Sequence, residues 1–151
     1  MSAIFWALPT ETQGGATLQF STYLCFDGRG EEAAAFHQQA IGAELVYLMR
    51  YSGSPDPHPP GMVPPGFENK VMHMTLKIGD NTVMAADDCA GHPKFQGFSL
   101  AAKAGADKLF AALGDGGSVT MPLTKTFFAP NFGMLTDRFG MGWMVLVGAE
   151  A

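Results

Sequence analysis

The chain has 151 residues, 47% of them hydrophobic and 15% charged, with a formal net charge of −5. That is about one domain's length, with ample material for a core and too little charge for a disordered chain. The acidic balance and the absence of a Lys/Arg cluster argue against a polyanionic partner, so no nucleic acid is expected.

Residues 1–16 read as an N-terminal extension or packing strap. Their apolar patch, Ile4–Leu8, lacks a basic flank and is too short for a membrane span, so no membrane association is expected. Thr17–Phe26 alternates and is rich in aromatics, which predicts a strand. A helix follows: Glu31 and Glu32 suit its positive first turn, Ala33, Phe36 and Ala40 share one face, and Gly42 suits its left-handed end. Residues 43–51, AELVYLMRY, predict a second strand. Residues 52–67 hold six of the ten prolines, which excludes a helix or central strand and predicts a stiffened loop able to act as a lid. Val71–Ile78 and Thr82–Asp87 then form a hairpin around Gly-Asp-Asn.

The second half repeats this order. Phe98–Ala102 is a predicted strand, Ala106–Leu113 a helix, and Ser118–Thr126, Phe132–Thr136 and Gly142–Val147 three more strands. Phe36 and Phe110 stand 74 residues apart, as do Gly42 and Gly116, which predicts two βαβββ modules (about 17–90 and 91–148) within one domain, 17–151. A sheet with a helix on one face leaves the other bare. The expected fold is therefore α+β, with paired modules forming a concave, half-barrel-like mixed sheet whose ligand surface comes from both halves. Alternation places His73 and Thr75 opposite the apolar set Met72, Met74, Leu76 and Ile78. It places Ser21, Tyr23 and Cys25 opposite Leu24 and Phe26, and Gly97 and Ser99 opposite Phe98 and Leu100.

The segments YLCFDGRGEEAAAFHQQAIGAELVY, MHMTLKIGDNTVMAADD and GGSVTMPLTKTFFAPNFGMLTDRFGMGWMV resemble PhnB-like proteins. These belong to the glyoxalase/bleomycin-resistance/extradiol-dioxygenase, or vicinal oxygen chelate, superfamily. The resemblance runs from about Thr22 to Val147 and implies the paired βαβββ fold and a homodimer. His37 and Phe128 depart from it, standing where Tyr and Trp are usual. Superfamily enzymes hold a divalent metal with His or Gln on the first strand of each half and Glu on the last. Carried across, those slots fall on Tyr23, on Gly97 by the 74-residue offset, and on Met144, with a fourth near Met84 or Ala86. Such side chains do not make a hard-cation site, so no metal or other cofactor is expected, although a divalent metal stays open.

Three functions follow. The first is a cytoplasmic small-molecule-binding protein with Tyr23, Cys25, Thr75, Met84, Asp87, Ser99, Phe128 and Met144 lining an apolar pocket under the proline-rich loop. The second is a metal-independent isomerase or lyase with His73 as general base and Asp87 orienting it. The third is a metalloenzyme with displaced ligands, His73 and Asp87 with His58 or His92. Gly28-x-Gly30-x-x-Ala33 mimics a dinucleotide fingerprint, but the following run of three strands never builds the required βαβαβ sheet. Asp137 and Arg138 read as a local ion pair at the last turn, or Arg138 as an anchor for an anionic ligand. Cys25 and Cys89 are too few for a disulfide scaffold and fit a reducing compartment.

Overall fold

The computed structural model describes residues 18, 20–87, 94–103 and 105–147. The expected N-terminal strap, Asp88, Cys89 and His92 lie outside them.

Strand β1 spans Thr22–Phe26, helix α1 Gly30–Ile41, and strands β2, β3 and β4 span Glu44–Arg50, Val71–Ile78 and Asn81–Asp87. The second half follows with β5 (Leu100–Lys103), α2 (Ala106–Gly114), β6 (Ser118–Thr124), β7 (Asn131–Thr136) and β8 (Gly142–Val147). Each half makes a four-stranded sheet, ordered β1-β4-β3-β2 and β5-β8-β7-β6. The helix carries the chain from the inner edge to the far edge, and a meander brings it back. Only β1/β4 and β5/β8 are therefore parallel among the strand pairs. The architecture is the expected α+β pair of βαβββ modules, with open mixed sheets.

Local signals account for the helix ends. Glu31 and Glu32 occupy the first turn of α1, and Gly42, at φ 68°, takes the left-handed conformation that ends it. The deep face of α1 carries Ala33, Ala34 and His37, while Phe36 and Ala40 are partly buried against the same core. Leu24, Phe26, Met74 and Leu76 meet Leu113, Leu135, Met141, Trp143 and Val145 in one shared core. The halves thus join on their helix-bearing sides, with α1 packed on α2.

Two arginines reinforce that seam reciprocally. Arg29, just before α1, lies 4.6 Å over the Phe139 ring of the second half, and Arg138 lies 4.5 Å over Phe36 of the first. Phe139 also packs 5.6 Å from Phe36 and 6.1 Å from Phe26, centroid to centroid. Contacts of this kind contribute about 0.5–1 kcal/mol each at exposed sites.

The internal repeat is offset unevenly. Tyr23 lies opposite Met84 on β4, and its counterpart opposite Met144 on β8 is Ala101. These first-strand positions are 78 residues apart (101 against 23). After the helices, Tyr47 and Met121 hold the 74-residue spacing. The change arises chiefly because α2 has nine residues against twelve in α1. Carrying the 74-residue offset back through the helix therefore misplaces the fifth-strand slot. Gly97, with φ +82°, and Ser99 both precede β5.

Candidate functional site

The face of the first sheet opposite α1 carries the principal cluster of polar and aromatic groups. Strand register sets it out as a row, Tyr47–Thr75–Met84–Tyr23, across β2, β3, β4 and β1. His73 stands one pleat along β3, and Cys25 one pleat along β1, on the same face. Along those strands Leu24, Phe26, Met74 and Leu76 point the other way and are buried, so the alternation sorts the two faces as expected.

His73 is the centre of the cluster. Its Nδ1 lies 3.5 Å from the Tyr23 hydroxyl and its Nε2 3.2 Å from Thr75 Oγ1. Tyr23 stacks on it at 6.0 Å between centroids, with planes 28° apart, and Tyr47 approaches from the other side at 5.9 Å. The imidazole keeps 8% of its surface exposed. Burial disfavours its cation, lowering its pKa below the usual 6.5, so the neutral ring prevails at neutral pH. The Tyr23 phenol is pushed up to about 12 by burial and, secondarily, by Cys25. A protonated Tyr23 can donate to Nδ1, which leaves an Nε2–H to donate to Thr75. The arrangement offers a neutral base, a phenol and a hydroxyl beside two aromatic faces.

Tyr47 was not among the sequence candidates. A register irregularity between Leu45 and Tyr47 interrupts the alternation of β2, and period-two reasoning does not pass through it.

The remaining candidates do not join this cluster. Asp87 is 1% exposed and its carboxylate accepts from two backbone amides, Gly30 N at 2.8 Å and Val71 N at 2.9 Å. It caps the start of α1 instead of orienting His73. A Cβ at Gly30 would meet Asp87 Oδ1 at 2.9 Å, so the glycine makes room for the cap. Ser99 is exposed and sits near Gly142. Phe128, half exposed, packs edge-on against Phe127 and Phe132. Met144 is on β8. These three belong with the second half, and the expected single lining of Tyr23, Met84, Phe128 and Met144 is split between two sheets. The proline-rich loop is fastened at the α1 corner, where Lys70 donates to the Gly28 carbonyl and His58 Nε2 lies 2.9 Å from the Tyr51 carbonyl. It encloses its own recess of about 290 Å³, lined by Tyr51, His58, Val63 and Glu68 among others, in place of the expected cover over Met84 and Tyr23.

Two further recesses lie on the helix-bearing side. One of about 410 Å³ between α1 and α2 contains Glu32, Phe36 and Arg138. Another of about 540 Å³ runs between Phe20, Thr22, Ile78, Leu100, Lys103 and Trp143. Neither gathers a general base with an orienting partner.

The superfamily metal does not fit these residues. Register assigns its four positions to Tyr23, Met84, Ala101 and Met144, which supply a phenol held protonated, two thioethers and a methyl group. Hard divalent cations need carboxylate or imidazole donors. The described members of the displaced set do not converge either: His73 is engaged by Tyr23 and Thr75, Asp87 by backbone amides, and His58 by the loop. Among the described residues no three His, Cys, Asp or Glu side chains are grouped to hold a metal ion.

The chain is 30% identical to protein YjdN of Escherichia coli K12 over 142 residues, 86% of this chain and 95% of YjdN. Protein PA1353 from Pseudomonas aeruginosa is similar in structure, with 36% identity and a TM-score of 0.75 over 89% of this chain and 100% of that one. The PhnB protein from Bacillus cereus follows at 27% identity and a TM-score of 0.71, over 87% and 100%. No protein-family model matches. The near-complete alignment to YjdN and the paired βαβββ fold shared with PhnB agree with the motifs in the sequence: this chain belongs to the PhnB-like proteins of the vicinal oxygen chelate superfamily.

Proposed function

We propose that this protein binds a small, planar, uncharged organic molecule on the open face of its first sheet. The observation that carries the reading is His73 held between Tyr23 and Tyr47, with both ring nitrogens engaged by Tyr23 and Thr75. Two phenol rings offer stacking surface, the Thr75 hydroxyl positioned by His73 offers a directional hydrogen bond, and Met84 adapts to the ligand's outline. The row itself carries no charged side chain, which disfavours an anionic ligand.

The functional unit is a homodimer in this reading. Tyr47 on the β2 edge is 45% exposed and faces the open side beside Thr75, and a second copy laid over the open faces would bury it and enclose the site. Chromatography with light scattering should then give twice the chain mass.

The binding test is a screen of planar aromatic compounds by tyrosine-fluorescence quenching and thermal shift, repeated on Tyr23→Phe and His73→Gln. Hits that bind the native chain and lose affinity in His73→Gln support the site. Hits indifferent to both substitutions place the ligand elsewhere.

The neutral His73 also favours a second reading, a metal-independent isomerase or lyase with His73 as general base. Turnover of a bound ligand would rise with pH through a midpoint below 6.5 and vanish in His73→Gln.

A further inference from the structure

Methionine is an unusual choice for a strand, where β-branched and aromatic residues pack better. Three adjacent strands of the second sheet nevertheless carry it at facing positions: Met121 lies opposite Met134, and Met134 opposite Met144. Their neighbours Gly133, Leu135, Trp143 and Val145 are buried toward the helix-bearing side. The three thioethers therefore share the opposite, open face, each half-buried. The row ends at Ala101, opposite Met144, whose short side chain leaves space.

Facing side chains on adjacent strands have Cβ atoms about 5 Å apart, and the flexible methionine chain lets the sulfurs close much of the remaining distance. Strand β6 is irregular on either side of Met121, and irregularities of that kind re-aim a side chain. Phe132 and Leu146 face each other beside the row and supply apolar cover. The fold does not demand methionine here, because the equivalent row of the first sheet reads Tyr47, Thr75, Met84 and Tyr23.

We propose that Met121, Met134 and Met144 form an all-thioether site for a soft monovalent cation of the Cu(I) or Ag(I) type. Thioethers are neutral and polarizable, so they select soft ions and leave Mg(II), Mn(II) or Zn(II) to oxygen and nitrogen donors. The ion supplies the only charge the three ligands see within the row, and coordination requires no proton release. The His73 cluster on the first sheet supplies none of the three ligands.

Silver is the first probe, followed by Cu(I) under anaerobic conditions with a chromophoric Cu(I) chelator as competitor. Thiolates hold soft ions more tightly than thioethers, so both titrations use the Cys25→Ser/Cys89→Ser chain. A single bound ion with sulfur neighbours in its X-ray absorption spectrum is expected. Binding should be lost in Met134→Leu, which conserves volume, and kept in Met84→Leu on the other sheet. No binding in the cysteine-free chain, or equal binding in Met134→Leu, would overturn the proposal. A second measurement uses the native chain with 13C-labelled methionine methyl groups. The methyl signals of Met121, Met134 and Met144 should move together on adding Ag(I), and if only others move, the site is wrong.

Discussion

His37 Nε2 lies 3.2 Å from Asp137 Oδ2, joining residues 100 positions apart in a contact from which water is almost excluded. The same carboxylate accepts from Trp143 Nε1 at 2.9 Å, Phe139 N at 2.9 Å and Met141 N at 3.1 Å. Helix α1 of the first half is thereby tied to the β7–β8 turn of the second. The sequence suggested that Asp137 would pair locally with Arg138. Arg138 instead binds Asp115 at 2.8 Å and covers Phe36, because a carboxylate surrounded by four donors has no need of it.

Replacing Asp137 by Ala leaves the indole, two amides and His37 without their acceptor. Leaving a buried donor without its acceptor costs about 1–3 kcal/mol per group, so the stability from urea unfolding should fall by more than the loss of any one of these bonds. His37→Phe keeps the ring and removes one hydrogen bond, for a loss of about 1–3 kcal/mol. Equal effects from the two substitutions would mean that the backbone donors around Asp137 find other partners.

Asp137 also sets the acid limit. Burial pushes its carboxyl up, but the bonds from His37, Trp143, Phe139 and Met141 outweigh that and hold its pKa below 3.8. The carboxylate's contribution is then present above pH 3.8 and lost as the pH falls through the lower folded value. Stability measured from pH 5 to pH 2 should fall in the native chain, and Asp137→Asn should flatten that limb.

His73 has the opposite charge sign and a different window. Its folded pKa is lowered by burial, so it contributes nothing to pH dependence well above 6.5. As the pH drops below 6.5, the unfolded chain takes up the proton first, and the native state loses stability until the folded value is reached. NMR titration should give His73 a midpoint below 6.5, and His73→Gln should remove this part of the pH dependence. A midpoint at or above 6.5 would contradict the buried, neutral ring.

Glycine substitutions should separate close approach from mere flexibility. A Cβ at Gly117 would collide with the Thr136 carbonyl, and one at Gly133 would stand 2.6 Å from Phe110 in α2. Gly117→Ala meets backbone, which cannot rotate away, and should cost about 1–3 kcal/mol or more. Gly53→Ala meets nothing within 4 Å and should be neutral to slightly stabilising, by about 0.4–1 kcal/mol at most. Thermal denaturation of the pair checks the contrast.

Local chemistry was legible in the chain itself. Alternation assigned Tyr23, His73 and Thr75 to one face and Leu24, Phe26, Met74 and Leu76 to the other, because a strand's side chains alternate wherever its pairing is regular. The glycine at position 42 ended α1 for a purely conformational reason. Repeat spacing disclosed two βαβββ halves, since each helix and the strand that follows it are built to one plan.

Only the tertiary structure decided which distant groups meet. Asp87 left the His73 cluster because α1 begins beside its carboxylate, with Gly30 and Val71 offering two amides. Tyr47 entered the cluster because an irregularity in β2 turned it outward, and the slot assigned to Gly97 moved to Ala101 because α2 is shorter than α1. His37 and Asp137 could not be paired in advance, since their contact depends on how the two halves pack. The sequence by itself determined what each segment would become and which way its side chains would face. Register across strands and packing between the halves determined what those side chains touch, because both depend on separations in space that the order of residues does not carry.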